Sequence, residues 1–142
     1  MKRYNIRVYG IIINDNDEVL VSDERRYGRS FTKFPGGGLE WGEGLKEGLE
    51  REIEEELRLD VTIGDLFYVN DFFQASAFRE TDQLISFYYR VNDFDYSQVP
   101  VSEHEIPLKE EGEKFRWISI DQLREEDFTF PIDKIVAKLI GA

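Results

Sequence analysis

Between residues 36 and 59 the chain sets three consecutive glycines, Gly36, Gly37 and Gly38, before a run of Arg51, Glu52, Ile53, Glu54, Glu55 and Glu56. Clustered carboxylates are the hard oxygen donors that Mg²⁺ and Mn²⁺ select, with waters and substrate phosphates completing the shell. A glycine backbone can approach an anion closely or offer a carbonyl to a metal. The chemistry these two features share is metal-assisted work on a diphosphate.

The elements that must position them can be read from periodicity. Leu45, Leu49, Ile53 and Leu57 recur every four residues and predict one helix over 45–57 with a single apolar stripe. A run of glutamates is usually a solvated face, and Glu47→Arg51 and Glu54→Arg58 have the i,i+4 spacing of surface pairs. Glu52, Glu55 and Glu56, however, share one side of the helix, and no lysine or arginine is spaced to neutralise all three. Like charges one turn apart cost a few tenths of a kcal/mol, so the face is better satisfied with a cation. Gly48, unusual inside a helix, costs roughly 0.5–1 kcal/mol relative to alanine.

Around this helix, residues 4–13 and 18–22 read as a hairpin about Asn14-Asp15-Asn16-Asp17. Residues 23–33 read as a polar stretch in which Arg25, Arg26, Arg29 and Lys33 dominate, and Phe34 to Gly38 as a break in regular structure. Strands follow at 61–73 and 84–94, the second apolar enough to be central, then a charged loop over 100–114 and a short strand at 115–118. Asp121 can cap a brief helical turn. A last helix begins after Pro131, with Ile132, Ile135, Val136, Leu139 and Ile140 inward. The expectation is one α/β (α+β) domain over 1–142, a mixed β-sheet sandwiched between helices.

Composition narrows the function. At 142 residues with 41% apolar content the chain can build one sizeable core. No apolar run is long enough for a membrane span, and the start lacks a signal-peptide cleavage site. Cysteine is absent, which removes thiolate ligands and nucleophiles, and a cytoplasmic protein is expected. A formal net charge of −12 argues against a duplex-DNA binder, yet divalent cations reverse local potential, so a small polyphosphate ligand is compatible with it.

Gly37, five residues, Glu43, seven residues, Arg51-Glu52-Ile53-Glu54-Glu55-Glu56, then Leu57-Arg58-Leu59 closely resembles the Nudix box, G-x5-E-x7-R-E-U-x-E-E-x-G-U with U aliphatic, here at 37–59. All charged positions match, and the surrounding pattern extends the resemblance over most of the chain. The departure is Arg58, where the family has a glycine that ends the helix at positive φ.

The resemblance to MutT-like Nudix hydrolases implies a pyrophosphohydrolase that uses Mg²⁺ or Mn²⁺ on a small-molecule diphosphate: a nucleotide, a nucleotide sugar or a related nucleoside diphosphate-X compound. By position, Glu52, Glu55, Glu56 and the Gly36 carbonyl would bind metal, with Arg51 orienting the carboxylates. The base would be Glu52, or a carboxylate of the 107–114 loop with Glu111 first and Glu110 or Glu113 next; Glu103 and Glu105 are further alternatives. Arg25, Arg26, Arg29 and Lys33 could hold phosphates, and Trp41 could stack on a base or merely cover its loop. Glu43 is expected to hydrogen-bond the loop and helix start, and His104 to be solvated. Analogy suggests a homodimer. The alternative reading is a ligand-sensing or protein-binding module on the same fold; such versions usually have substituted box glutamates, and here all are present.

Overall fold

The structure, a computed structural model, describes residues 1–142. It holds seven strands, β1 (Arg3–Ile12), β2 (Glu18–Arg26), β3 (Arg29–Lys33), β4 (Gly36–Gly38), β5 (Ile63–Val69), β6 (Asp82–Val91) and β7 (Gly112–Ser119), and two α-helices, α1 (Leu45–Leu57) and α2 (Pro131–Ile140). The strands form two sheets rather than one, in the orders β4-β1-β6-β5 and β3-β2-β7. The chain divides into two compact units, residues 1–11 with 36–94 and residues 12–35 with 95–142.

In the first unit β6 lies between β1 and β5, as its apolar run predicts. The Gly36–Gly38 segment is not a break but a strand, antiparallel to β1 with Val8 opposite Gly37 and Tyr9 opposite Gly36. Its lack of side chains lets it lie this close: a Cβ on Gly36 would overlap the Val8 carbonyl oxygen. Helix α1 has the bounds its leucine stripe predicts, and packs on β4 and β5 through buried Leu49, Ile53 and Leu57. Gly48 serves closeness to the preceding loop rather than to a strand, since a methyl there would fall 2.5 Å from Leu39 Cδ1. Arg58 ends α1 in the left-handed conformation at φ 58°, taking the geometry that glycine would supply. Its amide donates to the Glu54 carbonyl, so the missing glycine changes the strain and not the exit path.

The second unit corrects two expectations. Strands β1 and β2 belong to different sheets, with only an isolated Ile13–Val19 bridge in the turn between them, so 4–22 is not a simple hairpin. The hairpin is β2–β3, turning at Tyr27 and Gly28, both with positive φ, which brings Arg26 opposite Arg29. β7 starts three residues before the expected strand and pairs with β2 from Ser119–Glu18 to Gly112–Arg25. Phe34 stacks on Phe128 with centroids 4.4 Å apart, and Val19, Leu20, Val21, Phe115 and Val136 of the same unit are buried. Helix α2 opens with Pro131 and buries Ile132, Asp133, Val136 and Ala137, whereas Leu139 is exposed. Asp121 lies in a single 3₁₀ turn, Ile120–Gln122.

Candidate active site

The box residues of the first unit are assembled by one arginine. Arg51 lies one and a half turns into α1, and its Nε and Nη2 donate to the two oxygens of Glu43 at 2.6 and 3.0 Å, a forked pair that fixes the guanidinium plane. Nη2 also donates to the Gly38 carbonyl at 3.0 Å, and Nη1 reaches Glu52 and Glu55 at 3.2 Å each. Strand end, loop carboxylate and helix carboxylates are thus held by a single cation. Arg51 thus compensates two of the three carboxylates, Glu52 and Glu55, and does not neutralise all three. Glu47 does not pair with Arg51; it accepts the Gly44 amide at 3.1 Å and caps the helix start.

Glu43 accepts the Glu40 amide at 2.9 Å besides Arg51, so it holds the loop to the helix. Its carboxyl sits below the ordinary range because Arg51 donates to it. Glu52 behaves oppositely. Burial raises its pKa, the neighbouring Glu56 charge raises it further, and Arg51 offsets only part of this. Its carboxylate lies against β4, where a Cβ on Gly37 would come within 2.7 Å of both oxygens. Glu56 accepts the Gly36 amide at 3.0 Å. The result is a glycine strand lined by two carboxylates, Glu52 with its charge disfavoured by Glu56, a third at 54% side-chain exposure, and an arginine behind them. Such a donor set suits a hard dication.

The remaining expected site residues fall in the second unit or on the open loop. Trp41 is fully exposed, so it does not cover its loop. Arg25 Nη1 donates to Ser30 Oγ at 2.9 Å, and its Nε lies 3.7 Å from Glu111, whose side chain is 59% exposed. Arg26 pairs with Glu24 at 2.9 Å and Glu113 at 3.8 Å, and Arg29 stands opposite it in the register. Lys33 is buried, with Nζ 3.0 Å from Glu24 and donating to the Phe34 carbonyl. Glu103, Glu105 and Glu110 are exposed.

Two buried polar clusters escape a reading by residue type. Glu24 is 2% exposed and takes Ser22 Oγ, Arg26 and Lys33; against the opposing effect of burial, Lys33 and Arg26 hold its carboxyl at about 2. Asp23 accepts Thr32 Oγ1 at 2.6 Å, Arg116 Nε at 2.7 Å and His104 Nε2 at 2.7 Å. These donors outweigh burial and lower its pKa. The His104 side chain is 3% exposed, not solvated. The signal was alternation: Val19, Val21, Asp23 and Leu20, Ser22, Glu24 are the two faces of one strand, which a charged tail disguised.

A model of the NUDIX domain matches residues 3–139. An 8-oxo-dGTP diphosphatase of Escherichia coli (strain K12) is 28% identical over 141 residues, 98% of both chains. An RNA pyrophosphohydrolase of Legionella pneumophila is 40% identical over 57 residues, 40% of this chain and 31% of that one. Among solved structures, one from a study of MutT from Aliivibrio salmonicida and Vibrio cholerae superposes with a TM-score of 0.69 at 27% identity, covering 97% of each chain. A MutT protein from Methanosarcina mazei shares the fold at a TM-score of 0.70 and 22% identity, covering 98% of this chain and 94% of that one. The chain belongs to the Nudix family and is a Nudix pyrophosphohydrolase.

Proposed function

We propose that the chain hydrolyses a diphosphate linkage in a nucleoside diphosphate-X compound, with nucleoside 5′-triphosphates, including those carrying an oxidised guanine, as the leading substrates. The observation that carries this reading is the glycine strand Gly36–Gly38 lined by Glu52 and Glu56 and bridged to α1 by Arg51. The relatives named 8-oxo-dGTP diphosphatase support the nucleotide part, since they align along nearly the whole chain. No helix is long and apolar enough to cross a membrane. The same reading carries a single catalytic domain, a cytoplasmic place of action and, by analogy, a homodimer.

Glu52, Glu55, Glu56 and the Gly36 carbonyl would hold Mg²⁺ or Mn²⁺, which when bound offsets phosphate charge and lowers the pKa of water. Arg51 keeps the carboxylates oriented and, being engaged with Glu43 and Gly38, is not available to substrate. Glu111 accepts the proton of the water that attacks phosphorus as the P–O bond to the leaving phosphate breaks. Arg25 and Arg29 are the cations proposed for the phosphate tail. Arg26 and Lys33, tied to Glu24, are assigned to structure.

The test is phosphate release from nucleoside triphosphates, with inorganic pyrophosphatase added, and from ADP-ribose, nucleotide sugars and dinucleoside polyphosphates, with phosphatase added to reveal monoester products, all with Mg²⁺ or Mn²⁺ beside Glu56→Gln. Metal-dependent turnover of triphosphates to monophosphate and diphosphate, lost in the variant, is expected. Metal-dependent binding of a panel member without turnover would favour a sensing module instead.

A further inference from the structure

The segment 101–111 is exposed at most positions, with Ser102, Glu103, Glu105, Ile106 and Pro107 all open to solvent. It is nonetheless fastened at three points. At its start the Ser102 amide donates to the Phe115 carbonyl at 3.1 Å, and the His104 ring turns inward to Asp23. In its middle Leu108 is buried and its carbonyl accepts Ser30 Oγ at 2.7 Å. At its end Arg25, which also donates to that Ser30 hydroxyl, lies 3.7 Å from Glu111.

The inward histidine does more than fill space. A carboxylate offers about four acceptor sites. At Asp23, Thr32 takes one, Arg116 takes two through Nε and Nη2, and His104 Nε2 takes another. On the far side of the ring Nδ1 meets the Ser102 hydroxyl at 3.0 Å and the Ser102 carbonyl at 3.1 Å. Both ring nitrogens therefore have partners, one on β2 and one in the segment itself, which joins the two.

We propose that His104 is a positioning residue: through Asp23 it fastens the segment 101–111 to the β3-β2-β7 sheet and so sets where the Glu111 carboxylate stands for proton transfer. This rests on the function proposed above, with Glu111 as the base. His104→Leu keeps volume without a donor, whereas His104→Gln keeps an N–H at similar reach. His104→Asn keeps the donor but falls short of Asp23, and serves if the leucine variant does not fold.

Two readouts are taken on each variant, amide hydrogen exchange over 102–111 and steady-state kcat and KM with a hydrolysed panel member. Leucine and asparagine are expected to speed exchange about tenfold and lower kcat about tenfold, with KM within about twofold, while glutamine restores both. Exchange at the wild-type rate in leucine and asparagine variants would overturn the proposal, as would faster exchange with full kcat. Glu111→Gln, run alongside, separates the failures. Full turnover in Glu111→Gln removes the base assignment, whereas its loss there but not in the His104 variants removes positioning by His104.

Discussion

The two carboxylate networks of this molecule obey the same electrostatics and reach opposite results. In the second unit Glu24 and Asp23 are each surrounded by donors and their pKa values fall despite burial. In the first unit one arginine serves Glu43, Glu52 and Glu55, and the pKa of Glu52 rises. Where donors exceed carboxylates, as around Asp23 and Glu24, the carboxylates stay charged and hold strands together. Where carboxylates exceed donors, beside a strand of glycines, the charge is only partly offset, and this is the place of the cation proposed above. The contrast distinguishes structural acid from chemical acid better than the count of acidic residues does.

The largest effect expected of removing one charged partner is on the donor-rich network. Lys33→Met leaves Glu24 buried with one cation fewer and should cost about 3 kcal/mol in urea unfolding, with Glu24→Gln in the same chain recovering part of it. An unchanged midpoint would mean the second network is not what holds β2 to β3. In the carboxylate-rich network, Gly37→Ala should spare the fold, because the added methyl meets the mobile end of Glu52 rather than backbone. It should lower kcat at least about tenfold, roughly 1.4 kcal/mol of barrier, by displacing that carboxylate. Gly36→Ala, directed at the Val8 carbonyl, should prevent folding instead, and equal behaviour of the two would break the distinction.

Smaller effects sharpen it. Arg58→Gly relieves the left-handed turn and should raise stability by about 0.5–1 kcal/mol without touching turnover. The pH response should differ in sign between the networks. The folded pKa of Glu24 is lowered, so its contribution is present above the ordinary carboxylate range and is lost as pH falls towards about 2. The folded pKa of Glu52 is raised, so its contribution is present below that range and is lost as pH rises through the folded value. Without metal, Glu52→Gln should therefore stabilise the protein near neutral pH by a few tenths of a kcal/mol, the size of a like-charge pair. Thermal unfolding from pH 3 to 7 reads both signs, and destabilisation by Glu52→Gln at neutral pH would contradict this.

The sequence shows these two regions unequally. Helix α1 and the box could be read because leucines at four-residue spacing and glutamates at fixed offsets are local patterns. The partners of those glutamates could not. Arg51 bonding to Gly38 and Glu43 depends on a loop folding back, and the Gly36–Gly38 strand has no side chains to betray its pairing with β1. The second network was misread for a related reason. Asp23, Glu24, Lys33 and His104 are types usually found at the surface, and their mutual satisfaction spans separations from nine residues, Glu24 to Lys33, to 81, Asp23 to His104. Only the Tyr27-Gly28 turn, flanked by strand-like residues, hinted that the polar stretch pairs with itself.

The account turns on an outside cation completing the first network. Mn²⁺ binding, followed by loss of the free-ion paramagnetic resonance signal, is measured on the wild-type chain and on Glu56→Gln at neutral pH. Binding weakened at least about tenfold in the variant, with its fold intact, is the predicted result. Undiminished binding in Glu56→Gln would contradict the claim and move the metal away from the box.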